Sequence, residues 1–271
     1  MPRATKRKKP VTFEDTSLLK AKPAAFKKKT AQIIRRYHVL NKEVEKTSDP
    51  DKISELKNEM EKLGGLELYQ RASVLGASKT RGGDTSKWLV QELAKIGIPD
   101  EVKTNITLLD IGALSSENYK KQSAWIKTTS IDLNPRDSNI IKQDFLEMEA
   151  PNKDSNRFNI VCLSLVVNFV GDPLKRGIMI AKTRDFLLPS GYLFFVVPLP
   201  CVTNSRYLNH EYLQEFMANL GFQQVSCHFA KKLAYYLFRL GKPAKTIQEK
   251  FHRKNLVNDG PGRNNFSMTL P

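Results

Sequence analysis

Ile106-Thr107-Leu108-Leu109-Asp110-Ile111-Gly112 is a short apolar run closed by an acid and a glycine. Its length and near-continuous apolarity suit a strand buried on both faces. The glycine permits close approach of the backbone to whatever lies beyond the strand end. Three runs of the same kind follow. Thr128–Leu133 is rich in β-branched residues and leads into Asn134-Pro135, Phe158–Val167 is apolar almost throughout, and Tyr192–Val197 is the fourth. Between the third and fourth, Asp172-Pro173 has the chemistry of a helix start, with Asp at the N-cap and Pro in the first turn. That helix is expected to run to about Leu187 and to stop at Pro189-Ser190-Gly191. His210–Leu220 predicts another helix, closed by Gly221. Phe222–Ala230 and Lys232–Arg239 predict two strands with no helix between them, hence an antiparallel hairpin at one edge. Buried strands alternating with helices imply an α/β fold around a mostly parallel sheet.

Upstream, Ile33, Tyr37, Leu40 and Val44 share one helical face, and Ile53, Leu56, Met60 and Leu63 share another. Ser48-Asp49-Pro50-Asp51 between them is a turn with helix-start residues, so the two segments predict a helical hairpin. Leu66–Leu75 is a further helical segment after Gly64-Gly65. Arg81-Gly82-Gly83-Asp84 reads as a loop, with Asp84 placed to cap a helix to about Ile96 that turns Trp88, Leu89, Leu93 and Ile96 inward. The expected organisation is a basic tail at 1–29, a helical segment at 30–83, an α/β domain at 84–240 and a second basic tail at 241–271.

Charge separates the tails from the body. Of a net charge of +16, residues 1–29 carry +8 from ten Lys/Arg and two acids, and residues 239–271 carry +5, which leaves the middle nearly neutral. Neither tail shows a sustained apolar period, so both are expected to be disordered when unbound. Such segments suit a grip on nucleic acid, where each cation near a phosphate releases a counterion. Lys6–Lys9 suits a nuclear address equally well. Cys162, Cys201 and Cys227 show no C-x-x-C spacing and the four histidines no H-E-x-x-H pair, so neither a disulfide framework nor a zinc site is expected. The longest apolar runs are too short to cross a bilayer, and no apolar segment follows the basic N-terminus as a secretory signal requires.

In an open α/β sheet, ligands bind beyond the carboxyl ends of the strands. Here those ends carry Asp110-Ile111-Gly112, then Asp132 twenty residues after Gly112, then Asp144-Phe145. An acid at that offset commonly accepts hydrogen bonds from a ribose diol. The third pair resembles the acid–aromatic pair that frames an adenine in such folds. Singly, the glycine is also a plain turn residue and each acid also a plain cap. In order and at this spacing, they indicate an adenosine-containing ligand. Gly112 is followed by Ala113-Leu114-Ser115-Ser116, so the dinucleotide fingerprint G-x-G-x-x-G is absent, and no phosphate loop of the form G-x-x-x-x-G-K-[ST] occurs. A helix start with one glycine tolerates a ligand without phosphate, and S-adenosylmethionine is such a ligand.

With these landmarks in place, the sequence resembles the class I S-adenosylmethionine-dependent methyltransferases. Asp110-Ile111-Gly112, Ile131-Asp132, Leu188-Pro189-Ser190-Gly191-Tyr192 and Leu220-Gly221-Phe222 follow that superfamily's order. More closely, it resembles the fungal large-subunit (25S) ribosomal RNA adenine-N1 methyltransferases, an animal relative of which is an S-adenosylmethionine sensor. The blocks that carry this are Tyr69–Ser73, Arg81–Lys87, Asp110–Leu114, Ser130–Asn134 and Ser164–Val170 leading into Asp172-Pro173 and Arg176-Gly177. The resemblance implies a Rossmann-like class I methyltransferase with a mostly parallel seven-stranded sheet, a C-terminal antiparallel hairpin and an N-terminal helical extension. It implies cofactor contacts at Gly112 and Asp132, with Asp110, Leu133, Asp144, Phe145 and Ser164 beside them and Arg81 on the cofactor carboxylate. It also implies a nuclear and nucleolar monomer that acts on ribosomal RNA or the pre-ribosome, without metal or membrane.

N1 of adenine is unprotonated at neutral pH and needs no strong general base. The site must position the base, exclude water and tolerate a cationic product. N1 lies on the Watson–Crick edge, so the base must be unpaired, read by an amide and stacked on an aromatic ring. Asn168-Phe169 supplies that pair, parallel to the Asn/Asp-Pro-Pro-aromatic motif of base methyltransferases but without the prolines. Arg206 and Tyr207 are further candidates for contact with substrate. A cofactor sensor without catalysis is the alternative, and it has less use for two lysine-rich ends.

Overall fold

The computed structural model describes residues 36, 37, 39, 40, 43, 44, 47–64, 85–98 and 106–271. The N-terminal tail, the Tyr69–Ser73 block and the Arg81–Asp84 loop with its candidate Arg81 lie outside the described residues. The chain divides into two compact units, Met1–Gly83 and Asp84–Pro271.

In the first unit, helix α1 spans Pro50–Lys62. Asp49 starts it, accepting from the amide of Asp51 at 3.0 Å and of Lys52 at 3.4 Å, with Pro50 in the first turn. Described residues between 36 and 44 are helical as well, and Arg36 pairs with Glu59 at 2.6 Å across the turn, as a helical hairpin requires.

The second unit is built on a seven-stranded sheet. Its strands are β1 (Ile106–Ile111), β2 (Ile126–Asp132), β3 (Ile141–Lys142), β4 (Phe158–Ser164), β5 (Leu187–Pro198), β6 (Phe222–Phe229) and β7 (Leu233–Leu240). Their spatial order is β3-β2-β1-β4-β5-β7-β6. The first five pair in parallel, while β7 runs antiparallel to β5 and to β6. This is the Rossmann-like class I arrangement with its C-terminal hairpin. The chain reverses direction across the sheet between β1 and β4, so the ligand edge lies at the ends of β2, β1 and β4.

Side chains alternate across the sheet and feed two cores. On one face, Leu108, Ile160, Cys162, Phe194, Val196 and Tyr235 meet Leu89 and Leu93 of helix α2 (Ser86–Lys95). Trp88 of α2 lies against the rings of Phe194 and Tyr235, at centroid distances of 5.8 and 5.5 Å. On the other face, Leu109, Val161, Leu163, Phe195 and Tyr236 meet helices α3 (Pro173–Phe186) and α5 (His210–Asn219). A short helix α4 (Pro200–Thr203), absent from the sequence reading, follows β5.

Three expectations are corrected. Helix α2 takes Thr85 rather than Asp84 as its N-cap residue. No α-helix joins β1 to β2: residues 113–125 form turns and one 3-10 turn, Lys120–Gln122. The hydroxyls of Ser115 and Ser116 are spent on Glu117 and Asp137, which favours turns over a helix. Residues 241–271, expected as a tail, are packed onto the α3/α5 face. Phe251 is fully buried, its ring edge-on to Tyr212 and Phe216, and Phe266, Met268 and Leu270 are also buried. Pro173 and Phe251 accept the amides of Thr269 and Leu270 at 3.0 and 2.7 Å. These anchors are too scattered to show a helical period, yet each lands on the same core.

Candidate active site

The ends of β2, β1 and β4 bring Asp132, Gly112 and Ser164 onto one rim. Gly112 has φ of +71°, and its amide donates to Ile131 at 2.8 Å, which turns the chain off the sheet. A Cβ there would lie 2.6 Å from Cγ2 of Val166, so only glycine lets the loop after β4 cross this close. That loop is itself sharply turned. Leu165 holds φ of +59°, a conformation costly for a branched side chain, and its amide donates to Val196 at 2.9 Å. The expected strand to Val167 therefore ends at Ser164, and residues 166–169 form a turn closed by the Phe169 amide on Val166 at 2.9 Å.

Asp132 closes β2. Its Oδ1 accepts the Asn134 amide at 2.8 Å, and its Oδ2 has no partner among the described residues. Burial pushes its carboxyl upward, partly offset by that amide. A half-buried carboxylate with one open oxygen is the acceptor that two sugar hydroxyls would satisfy, so the residues present fit an adenosine end. Leu133 beside it is 64% exposed, an apolar surface at the rim. On the β4 side, Oδ1 of Asn168 is buried without a hydrogen-bond partner. A buried acceptor left unpaired is costly, and a donor arriving with a ligand would remove that cost.

The other predicted residues take different places. Asp110 is buried and accepts from Nδ2 of Asn118 at 3.0 Å, so its carboxylate ties down the loop after β1. Ser164 shares a 2.8 Å hydrogen bond with the Thr85 hydroxyl, which fixes the start of α2 to the end of β4. Asp144 stays near the rim, where its Oδ1 accepts the Leu146 amide and the neighbouring Gln143 amide donates to the backbone carbonyl of Asp132 at 3.0 Å. Phe145 is a correction: it is 3% exposed with its ring 5.0 Å from Phe186, so it is core and cannot frame an adenine. Arg206 is also turned away from the rim centre, onto the carbonyls of Arg263 and Gly260. Among the described residues, no group of His, Cys, Asp or Glu is arranged to hold a metal, and no helix is long and apolar enough to cross a membrane.

The sequence profile of the Bmt2 family, described as 25S rRNA (adenine(2142)-N(1))-methyltransferase, matches residues 54–268. The chain belongs to this family. The 25S rRNA (adenine(2142)-N(1))-methyltransferase of Saccharomyces cerevisiae is 37% identical over 243 residues, covering 87% of this chain and 71% of that one. The 25S rRNA adenine-N(1) methyltransferase of Schizosaccharomyces pombe is 34% identical over 248 residues, covering 87% and 89%. A solved structure similar to the chain is the 1,6-didemethyltoxoflavin-N1-methyltransferase of Burkholderia thailandensis, with TM-score 0.46 and 12% identity over 64% of this chain and 87% of that one.

Several residues that shape this Bmt2-family site escaped the sequence reading. Ser116 binds Asp137 through both its hydroxyl and its amide, locking the loop after β1 to the loop after β2. These bonds and the Asn139 amide draw the Asp137 carboxyl down to about 2. Asn118 and Asp137 carry no motif, and their partners Asp110 and Ser116 lie eight and twenty-one residues away. Arg176, buried at 2%, donates to the carbonyls of Val170, Gly171 and Ser267 at 2.6, 3.0 and 2.8 Å, with its guanidinium over the Phe266 ring. It joins the Asn168–Gly171 loop to the C-terminal segment. The Arg176-Gly177 pair was visible as a family block, but its task was not.

Proposed function

We propose that this chain is an S-adenosylmethionine-dependent methyltransferase that methylates N1 of an adenine in large-subunit (25S) ribosomal RNA. One observation carries the reading. In a member of the Bmt2 family, a half-buried carboxylate with an open oxygen and a buried amide oxygen without a partner stand on the two sides of Gly112 at the ligand edge of a class I sheet.

The cofactor, when bound, supplies an electrophilic methyl on a sulfonium. Asp132 grips the ribose diol through charge-assisted hydrogen bonds and fixes the nucleoside along the rim. Gly112 lets the loop after β4 cross close to the strand end, and Leu133 offers an apolar face beside the sugar. Arg81 is assigned to the cofactor carboxylate by its family block. Asn168 Oδ1 accepts from the exocyclic amino group of an extruded adenine, leaving the neighbouring N1 lone pair free to attack. As N1 gains its methyl the ring becomes cationic and that amino group a stronger donor, so the hydrogen bond tightens toward the transition state. Phe169 stacks on the base and keeps water out. No side chain has to remove a proton from N1.

The basic residues 1–29 serve as a nuclear and nucleolar address, and the protein acts as a monomer on pre-ribosomal RNA. The test is incubation of the full chain with labelled S-adenosylmethionine and rRNA from cells that lack it. Mass spectrometry should then show new 1-methyladenosine. Its absence would refute the reading, and transfer undiminished in Asn168→Ala would remove Asn168 from the base-reading role.

A further inference from the structure

One part of the ligand edge of the second unit carries an excess of positive charge. Antiparallel pairing sets Leu233, at the start of β7, opposite Pro198, at the end of β5. The tip of the β6–β7 hairpin, Ala230-Lys231-Lys232, therefore stands on the same edge as the Asn168 loop, and Leu199 donates to the Lys232 carbonyl at 2.8 Å. Residues 198–211 and the folded-back residues 254–265 complete this wall. Ser205 bridges to Asn264, the Arg206 amide donates to Asn264 at 3.0 Å, and Asn264 Nδ2 donates to Pro200 at 2.7 Å. These segments and the tip carry Arg206, Lys231, Lys232, Lys254 and Arg263 against Glu211 and Asp259. Among the described residues, none of the five cations is in an ion pair. The segments after β1 and β2 differ, since as far as Asp144 the acids Glu117, Asp137 and Asp144 nearly offset Lys120, Lys121, Arg136 and Lys142.

Aromatic rings are set among these cations. Phe229, 44% exposed, is held edge-on by His210 at 5.3 Å and by Tyr236 at 6.0 Å. Tyr207 lies 5.9 Å from Nζ of Lys254. One exposed phenylalanine is ordinary on a protein surface. One propped against a histidine, next to two unpaired lysines and beside a base-reading loop, is the composition of a surface for single-stranded nucleic acid, in which cations follow the backbone and rings stack on bases.

We propose that the β6–β7 tip and the wall formed by residues 198–211 and 254–265 are where the RNA strand flanking the target adenine docks. Lys231, Lys232, Lys254 and Arg263 meet its phosphates, and Phe229 stacks on a flanking base. This rests on the reading of the chain as an RNA methyltransferase and extends it to the substrate's path, away from the cofactor and toward the β5–β7 side. It also gives the C-terminal segment a task, that of mounting its cations on a rigid wall.

The test uses the full chain as Lys231→Glu/Lys232→Glu and as Phe229→Ala, all at exposed positions. Binding is read with a labelled oligoadenylate and a labelled RNA hairpin, methylation with rRNA from cells lacking the protein, and folding by a thermal shift with S-adenosylmethionine. The double variant should lose affinity for both RNAs, with a salt slope lower by about 1.4 for two lost single-strand phosphate contacts. Phe229→Ala should weaken oligoadenylate binding on the order of tenfold and hairpin binding little. Both should raise KM for rRNA while the cofactor shift stays as in the wild type. Wild-type KM and binding in both variants would overturn the docking assignment and leave the methyltransferase reading intact. Normal methylation of naked rRNA with loss on pre-ribosomes would overturn it in favour of a protein partner. A wild-type chain that shifts with the cofactor but methylates no RNA would remove the underlying reading as well.

Discussion

Asp132 and Asp137 sit on the same rim and are driven in opposite directions. Burial raises Asp132, so the folded protein disfavours its ionised form more than water does. Its contribution to stability is present below the ordinary carboxylate range and is lost as pH rises through the raised value. Asp132→Asn puts an uncharged group there and removes the cost of burying the charge. The free variant should be at least as stable at neutral pH, while cofactor affinity falls about a hundredfold for the loss of charged hydrogen bonds. Calorimetry with S-adenosylmethionine checks the second outcome and thermal melting the first. Asp137 is held down at about 2 by Ser116 and Asn139, so its contribution is present above its ordinary value of 3.8 and is lost as pH falls toward 2. Carboxyl NMR titration should find the low value in the wild type and its return toward the ordinary range in Ser116→Ala.

At the scale of elements, two glycines set how close neighbouring pieces of chain can come. Gly112→Ala meets a positive φ and a 2.6 Å contact with Val166. It should destabilise by about 1–3 kcal/mol. Adding Val166→Ala should recover the packing part but not the backbone part, which a double-mutant cycle in urea would separate. Gly177 lies inside α3, where alanine is ordinarily worth up to about 1 kcal/mol more than glycine. Here the added Cβ would stand 1.9 Å from the Thr269 carbonyl oxygen, near the end of the C-terminal segment. Gly177→Ala should therefore lower the melting temperature and raise hydrogen exchange at Thr269 and Leu270. Exchange unchanged at those amides would mean the segment is not seated on α3.

The whole molecule depends on that segment. Phe251, Phe266, Met268 and Leu270 are all buried at 6% exposure or less, in the core under α3 and α5. Removing residues 241–271 should leave a chain that aggregates or binds a hydrophobic dye, because it uncovers the apolar ends of both helices. A free tail would have come off without effect. The Arg176 guanidinium would also lose the Ser267 carbonyl and the Phe266 ring, loosening the loop that carries Asn168. Arg176→Lys should therefore lower kcat more than it raises KM for the cofactor, since Asp132 is held independently on β2.

Most strand runs, the caps at Asp49 and Asp172 and the strand-end acids were readable locally, because burial on two faces and N-capping are properties of neighbouring residues. Asp172-Pro173 capped α3 as read, with the Asp172 side chain on the Leu174 amide at 2.8 Å. The sheet, its C-terminal hairpin and the positions of Gly112, Asp132 and Asn168 at one edge were legible for the same reason. Phe145 was misread because an aromatic after a strand end looks the same whether it turns to ligand or to core. The C-terminal segment was misread because its apolar residues are spaced for a surface made by α3 and α5, and that surface exists only once those helices have packed. The sequence by itself determined six of the seven strand runs, the caps at Asp49 and Asp172, and the family. Tertiary packing alone decided that Leu165 is forced into a left-handed turn over Gly112, that Arg176 is sealed among carbonyls far apart in the chain, and that scattered cations share one wall, since each of these is a contact between residues whose neighbours in sequence do not announce them.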